Sequence, residues 1–386
     1  MAEAGATRMA CRELEETARL ALDTLLQKPV AGIPIFRFNV MEHRHIERLA
    51  GAEPGAYKRD PHGVYIAMCR ACHVCILDQY LATNPLTMGD AGYEGGERGA
   101  TTGAEKITLD GMLIDSPEAV VEHLERHEFP RLERGAAAFD EESRAAQIIR
   151  NERLLQERLG PGILKTGHGV AQFPHLRYFA YGYENYFMAY ALYPEVMEKD
   201  FALQANLAAL ANRAVARAWR EADLPPLHRL DHDMADSRGP LVDIRSLDRI
   251  WLPHFARCIE PLLEEDIRLI WHCDGNLMAL APRLIEAGIR GFQGFQYECG
   301  MDYETLCQWK TRDGDRLIIA AGASVSRTLP RGTPDDVRRE LKWLVEKGPP
   351  TGLFLGLSSS MTPGVPWENV RTLVEGLNYY RTHGRT

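Results

Sequence analysis

From Gly32 onward, short runs of β-branched and apolar residues take turns with longer segments of helical periodicity, and this alternation constrains the chain more than any other feature. Eight runs read as strands: "IPIFRFNV" from Ile33, "HVCILDQY" from His73, "GILKTGHG" from Gly162, "LPPLHRLD" from Leu224, "IRLIWHCD" from Ile267, "GFQGFQY" from Gly291, "RLIIAAGAS" from Arg316 and "TGLFLGLSS" from Thr351. Ser116-Pro117, Thr333-Pro334 and Pro366 open the intervening helices with a cap or a first-turn proline, and Gly288 and Gly348 sit where two of them end. Eight βα units predict an α/β fold, a TIM (β/α)8 barrel. One barrel over 32–386, preceded by an N-terminal helical extension over 1–31, accounts for all 386 residues. The stretch between Thr83 and Arg153 exceeds a simple crossover and holds "MGDAGYEGGERGATTGAE", so a long excursion over the barrel mouth is expected after the second strand.

Several classes of function fall away. No apolar run approaches the roughly 18 residues of a membrane span, and "MAEAGATRMACRELEETARLALDTLL" lacks the apolar core of a secretory signal. A cytoplasmic protein is expected. A net charge of -9 with interspersed signs argues against a nucleic-acid surface. Eight cysteines in a chain of this length, without export, read as free thiols.

In a barrel the active site gathers at the C-terminal ends of the strands. Residues able to do chemistry collect there: Asp78, then His168, then Asp231, His232, Asp233 and Asp236, then His272, Cys273 and Asp274, then Glu298 and Cys299, then Ser324, Ser326 and Arg327, and last Ser358 to Ser360. Any one of them also serves as a helix cap or turn residue. Converging acids and histidines repel unless they bind something, which favours a shared site. His272 and Asp274 alternate, so a continuing strand puts them on one face with Cys273 on the other. With Glu298 from the next strand they form an imidazole and two carboxylates, a set that suits zinc, iron(II) or manganese. Cys69, Cys72 and Cys75 in "CRACHVC" have cluster-like spacing. Two of them precede the strand on a helix while Cys75 lies inside it, so a buried structural role is the stronger reading.

The segment "LIWHCDGNLMALAPRLIEAGIRGFQGFQYECGMD", with "AAGASVSRTLPRGTPDDVRREL" and "GVPWENVRTLVEGLNYYRTHGR", resembles the uroporphyrinogen decarboxylase superfamily from about Gly32 to the end. The resemblance implies a TIM barrel. It also brings in zinc-dependent methyltransferases, which move methyl groups between corrinoid proteins or methylated substrates and a thiol or folate acceptor. True decarboxylases carry an "RQAGRY"-type motif, where this chain reads "FRFNVMEHRHIERLAG". They also carry an aspartate, matched by Asp78, and a late histidine, where "LSSSMTP" places Ser359. The methyltransferase branch binds zinc through an HxC pair, an acid and a later cysteine; the positions here hold His272, Asp274, Glu298 and Ser359. Both thiolates are replaced by oxygen donors, which favours a harder metal.

The resulting expectation is a metal-dependent methyltransferase. His272, Asp274 and Glu298 hold a divalent metal, zinc before iron or manganese. Asp78, Asp233 and His272 are catalytic, and His168, Arg327 and Ser359 bind a small substrate. The implied donor is a corrinoid protein or a methylated small molecule, and a homodimer stays open because barrels of this family often pair. The alternatives are a metal-free decarboxylase in which Asp78 stabilises positive charge on the substrate, and a non-catalytic barrel that only binds a ligand. Cys273 and Cys299 stay open as ligands if a bulge turns either inward.

Overall fold

The computed structural model describes residues 14–87 and 106–385. The glycine-rich excursion "MGDAGYEGGERGATTGAE" therefore lies outside the described residues, as do the first thirteen residues of the N-terminal extension. The rest of that extension includes helix α1 (Glu16–Leu25), whose Ala18, Ala21, Leu22 and Leu25 are buried.

Six parallel strands make the main sheet. In chain order the strands are β1 (Ile76–Leu77), β2 (Leu164–Lys165), β3 (Gly167–His168), β4 (Leu227–Asp231), β5 (Arg268–His272), β6 (Gly291–Gln293), β7 (Ile318–Ala323) and β8 (Leu353–Leu357). The sheet runs β8-β7-β6-β5-β4-β3, and β1 pairs separately with β2, also in parallel. Strands β7 and β8 are buried at every position, as expected of parallel strands covered on both faces.

The first expected strand is the one that departs most from expectation. "IPIFRFNV" makes isolated parallel bridges only, Ile35 with Leu355, Phe36 with Ile76 and Val40 with Met361. Pro34 has no N–H to donate, so it joins β8 only by accepting from the Leu355 amide, at 3.1 Å. The third expected strand is also broken, at Thr166, so that β2 and β3 serve different neighbours.

Long helices cover the sheet: α2 (Glu141–Leu159), α3 (Pro194–Ala222), α4 (Leu252–Glu264), α5 (Pro334–Lys347) and α6 (Trp367–His383). Helix α3 packs against both α2 and α4 through a row of buried alanines. The expected caps are present. Ser116 Oγ accepts from the Ala119 amide at 3.1 Å, and Thr333 and Asp336 form a reciprocal capping box that opens α5. Among the described residues, no helix is long and apolar enough to cross a membrane.

Candidate active site

Strand register brings the polar ends together. Asp231 of β4 pairs with His272 of β5, and His272 pairs with Gln293 of β6, so their side chains emerge side by side. The His272 ring is pinned from one side, its Nδ1 donating to the Gln293 carbonyl at 3.1 Å. That fixes Nε2 as the free nitrogen, with a lone pair in the neutral ring. Gly294 makes this packing possible: it adopts a φ of +82°, and a Cβ there would collide with the imidazole.

Around Nε2 lie three carboxylates. Asp231 Oδ1 and Asp274 Oδ1 are each 4.0 Å away. Asp233, His272 and Asp274 each offer a ligand atom, and all three atoms lie within 4.8 Å of one another. Asp233 Oδ1 accepts from the Asp274 amide at 2.8 Å, which fixes the two acids relative to each other. Ser359 Oγ donates to Asp274 Oδ2 at 3.3 Å, while Asp274 Oδ1 is buried without a hydrogen-bond partner. Burial raises the Asp274 carboxyl above the usual range and Asp233 adds to the effect, against the pull of His272.

Beneath this group runs a ladder of buried charge. Arg37 Nε lies 2.9 Å from Asp78 Oδ1, Arg229 Nε donates to Asp78 Oδ2, and Arg229 Nη1 donates to Asp231 Oδ2 at 2.8 Å. Burial opposes ionisation of Asp78, but Arg229, Arg37 and His168 outweigh it and hold the carboxyl well below the usual range. Asp231 is held low in the same way, by His168, His272 and Arg229 against burial. His168 Nε2 is 3.5 Å from Asp231 Oδ2.

Several expected residues fall elsewhere. The side chains of Asp78 and Arg229 are wholly shielded from solvent, so Asp78 meets the site through Arg229. The chain leaves β6 at Gly294, and Glu298 lies on a short turn (Tyr297–Cys299) where it accepts from Ser324 Oγ at 2.9 Å. Asp233 stands with His272 and Asp274 in its place. Of the three late serines it is Ser359 that touches the acids; Ser358 Oγ accepts from the Val325 amide, and Ser360 Oγ accepts from Asn39. Arg327 is exposed beyond β7, its amide donating to Ser324 Oγ at 3.1 Å. His232 is buried, accepting from the Leu176 amide, and Asp236 is clasped by Arg238 at the rim.

The cysteines singled out in the sequence are turned away from His272 Nε2 or buried. Cys273 is buried on the opposite side of the backbone, its thiol donating to the Asp274 carbonyl at 3.0 Å and raised well above its ordinary pKa by burial. Cys299 donates to Gln296 Oε1 at 3.5 Å. Cys69, Cys72 and Cys75 are buried free thiols, with burial pushing Cys72 up to about 12 and Cys75 to about 11. They are not among the groups of the described residues that bring three metal-ligand atoms together.

The sequence profile of the family described as Uroporphyrinogen decarboxylase (URO-D) matches residues 178–380, just over half the chain. The chain belongs to the URO-D family. Its fold is also that of a methyltransferase from Methanosarcina mazei, with a TM-score of 0.54 at 17% identity, covering 94% of this chain and 98% of that one. A B12-independent methionine synthase from Shewanella sp. W3-18-1, solved with selenomethionine, aligns over 46% of this chain and 55% of its own at 15% identity, with a TM-score of 0.31. No curated protein matches this URO-D family member significantly.

Proposed function

We propose that this URO-D family member is a metal-dependent methyltransferase acting on a small substrate, built as one closed (β/α)8 barrel over 32–386 with residues 1–31 as an extension. Closure is supported by the bridges of Ile35 to β8 and of Phe36 to β1, which tie one edge of the main sheet to the separate β1–β2 pair. The site lies where the strands end, as in other barrels.

One observation carries the reading. Asp233 and Asp274 lie beside the free nitrogen of His272, and among the described residues neither carboxylate is paired with a lysine or arginine. Two like charges held together in a half-buried site call for a dication. The donor set fits one: His272 donates its other nitrogen to a backbone carbonyl, as metal-bound imidazoles do, and Asp274 Oδ1 is unpartnered. His272, Asp233 and Asp274 would hold the ion, with Ser359 orienting Asp274. Nitrogen and oxygen donors without a thiolate suit zinc, iron(II) or manganese. When bound, such an ion supplies Lewis acidity to an acceptor group.

The remaining residues hold the substrate and move its proton. As the acceptor gains the methyl group the donor keeps the electron pair of the broken bond and the acceptor loses a proton; we assign that proton to His168, which lies 3.5 Å from Asp231. Arg327 is exposed and free to meet one anionic group of the substrate. The donor we propose is a corrinoid protein or a methylated small molecule. Decarboxylation needs an open aspartate and free arginines for several substrate carboxylates, whereas Asp78, Arg37 and Arg229 are spent on each other.

Elemental analysis of purified protein beside His272→Ala tests this. About one equivalent of a transition metal in the wild type, lost in the variant, supports the metal centre. No metal in either overturns it and directs the search to carbon dioxide release from carboxylated substrates.

A further inference from the structure

The ladder Arg37, Asp78, Arg229 and Asp231 is more than the fold requires. Arg37, Asp78 and Arg229 are shielded from solvent while Asp231 is half-buried at the site; burying such charges is expensive, and apolar residues of the same volume commonly stabilise a core as well or better. Its geometry is nonetheless closely specified. Arg229 spends Nε on Asp78, Nη1 on Asp231 at 2.8 Å and Nη2 on Gln79 Oε1 at 3.0 Å, which locks a long side chain in one arrangement. Asp78 is locked in turn, its Oδ1 accepting from the Gln79 amide at 2.7 Å and facing Arg37.

All of this fixes one thing at the site, the direction of the Asp231 carboxylate. Its Oδ2 is taken by Arg229 and faces His168. Its Oδ1 faces His272 Nε2 at 4.0 Å, too far for a hydrogen bond and near enough for a strong field. Asp231 stands outside the group formed by Asp233, His272 and Asp274, yet shares its central nitrogen.

We propose that Asp231, held by Arg229, is a positioning residue for the metal centre: it keeps a fixed negative charge beside His272 Nε2 and so sets the affinity of that nitrogen for a dication. The inference rests on the reading of His272, Asp233 and Asp274 as the metal-holding group. Asp231→Asn keeps an oxygen for Arg229 to donate to, but removes the charge, leaving Asp78 as the one carboxylate between the two guanidiniums and a positive charge in excess beside the site.

The test is equilibrium titration of the metal-stripped full chain with Zn²⁺ against a chromophoric chelator, alongside the melting temperature of each stripped protein. Asp231→Asn is expected to weaken Zn²⁺ binding roughly 10- to 100-fold, the range found for partners that orient a ligand. Arg229→Lys, which keeps the charge and loses the fork, is expected to weaken it by a smaller factor and serves if Asp231→Asn does not fold. Asp236→Asn, a half-buried rim acid whose charge is already balanced by Arg238, is the control and should bind within about twofold of wild type, since a neutralised pair of this kind contributes little. A wild-type protein that binds Zn²⁺, with Asp231→Asn and Arg229→Lys binding as tightly, overturns this proposal and leaves the metal centre standing. A wild type that binds no Zn²⁺ in this titration and carries no transition metal when purified overturns both.

Discussion

Two places among the described residues bring a histidine and two carboxylates within 4.8 Å of one another, and they are not alike. One is Asp233, His272 and Asp274 at the strand ends. The other is Asp110, His123 and Glu128, at the tip of a hairpin and the end of a helix outside the sheet. In the outer cluster every donor is spent. His123 bonds Tyr181 through Nδ1 at 2.9 Å and Asp110 through Nε2 at 3.0 Å. Arg131 grips Asp110 with both carboxylate oxygens engaged and also pairs with Glu128, and Arg177 links Glu128 to the buried Asp200. In the inner group, among the described residues, His272 Nε2 and Asp274 Oδ1 have no hydrogen-bond partner, and no arginine pairs with Asp233 or Asp274. Proximity of ligand-type residues is therefore a poor guide; charge balance and free lone pairs separate a structural network from a site.

The sharpest way to break this contrast is to unbalance the outer cluster. Arg177→Ala leaves Asp200 buried and unpaired, where burial already pushes its carboxyl above the usual range. A loss of roughly 3 to 5 kcal/mol is expected by chemical denaturation, with Zn²⁺ affinity unchanged. A change in affinity would join two regions that the structure keeps apart.

The inner group should respond in the opposite sense. Asp274→Asn is expected to weaken metal binding on the order of 100-fold or more, while the stripped variant is at least as stable as the stripped wild type, because a like-charge contact has gone. At a free metal concentration 100 times its Kd the wild type gains about 2.7 kcal/mol over the stripped form, and the variant at that concentration gains little. A scan of melting temperature with metal and with chelator checks both statements.

Much of this was legible in the chain. Asp274 does lie beside His272 with Cys273 turned away, although β5 ends at His272, short of the continuing strand on which that expectation rested. The place of Glu298 did not follow, because the extrapolation assumed a strand that in fact ends at Gln293 with a left-handed glycine after it. Asp233 lies two residues beyond Asp231, the partner of His272, past the end of β4, where periodicity carries no direction. Arg229 was hidden by its setting in the apolar run "LPPLHRLD". Its spacing of two from Asp231 puts both on one strand face, and that was the available signal. The outer hairpin was legible in principle, since Asp110-Gly111 is a favoured turn pair and both residues take a positive φ.

Glu340 sharpens the contrast from a third direction, as a carboxylate with neither a cation nor a histidine beside it. It accepts from the Ser324 amide at 3.1 Å, and burial raises it to about 7 despite that bond. With nothing to bind, such a group keeps its proton. Its folded pKa lies above the ordinary 4.5, so its contribution to stability is full below pH 4.5 and is lost as pH rises through 7. Glu340→Gln should remove this loss, becoming more stable than wild type by on the order of 2 kcal/mol at pH 8 and nearly equal to it at pH 4.5. Urea denaturation at the two pH values decides; equal curves at pH 8 would mean that the carboxylate ionises freely.

The smallest expected effect belongs to the outer cluster. Asp110 is the member open to solvent, and its carboxyl is held low by hydrogen bonds from Arg131 and His123. Removing its charge in Asp110→Asn leaves an oxygen to accept from either partner, and Arg131 retains Glu128. Exposed pairs of this kind contribute little, so the melting temperature should move by less than about 2 °C. Zn²⁺ affinity should not move at all, although the ligand atoms of Asp110, His123 and Glu128 lie within 4.8 Å of one another, as those of the inner group do. If Asp110→Asn instead removed bound metal, the outer cluster would be the metal centre. The two balancing arginines would then have to be displaced on binding, and charge balance would lose its power to tell the regions apart.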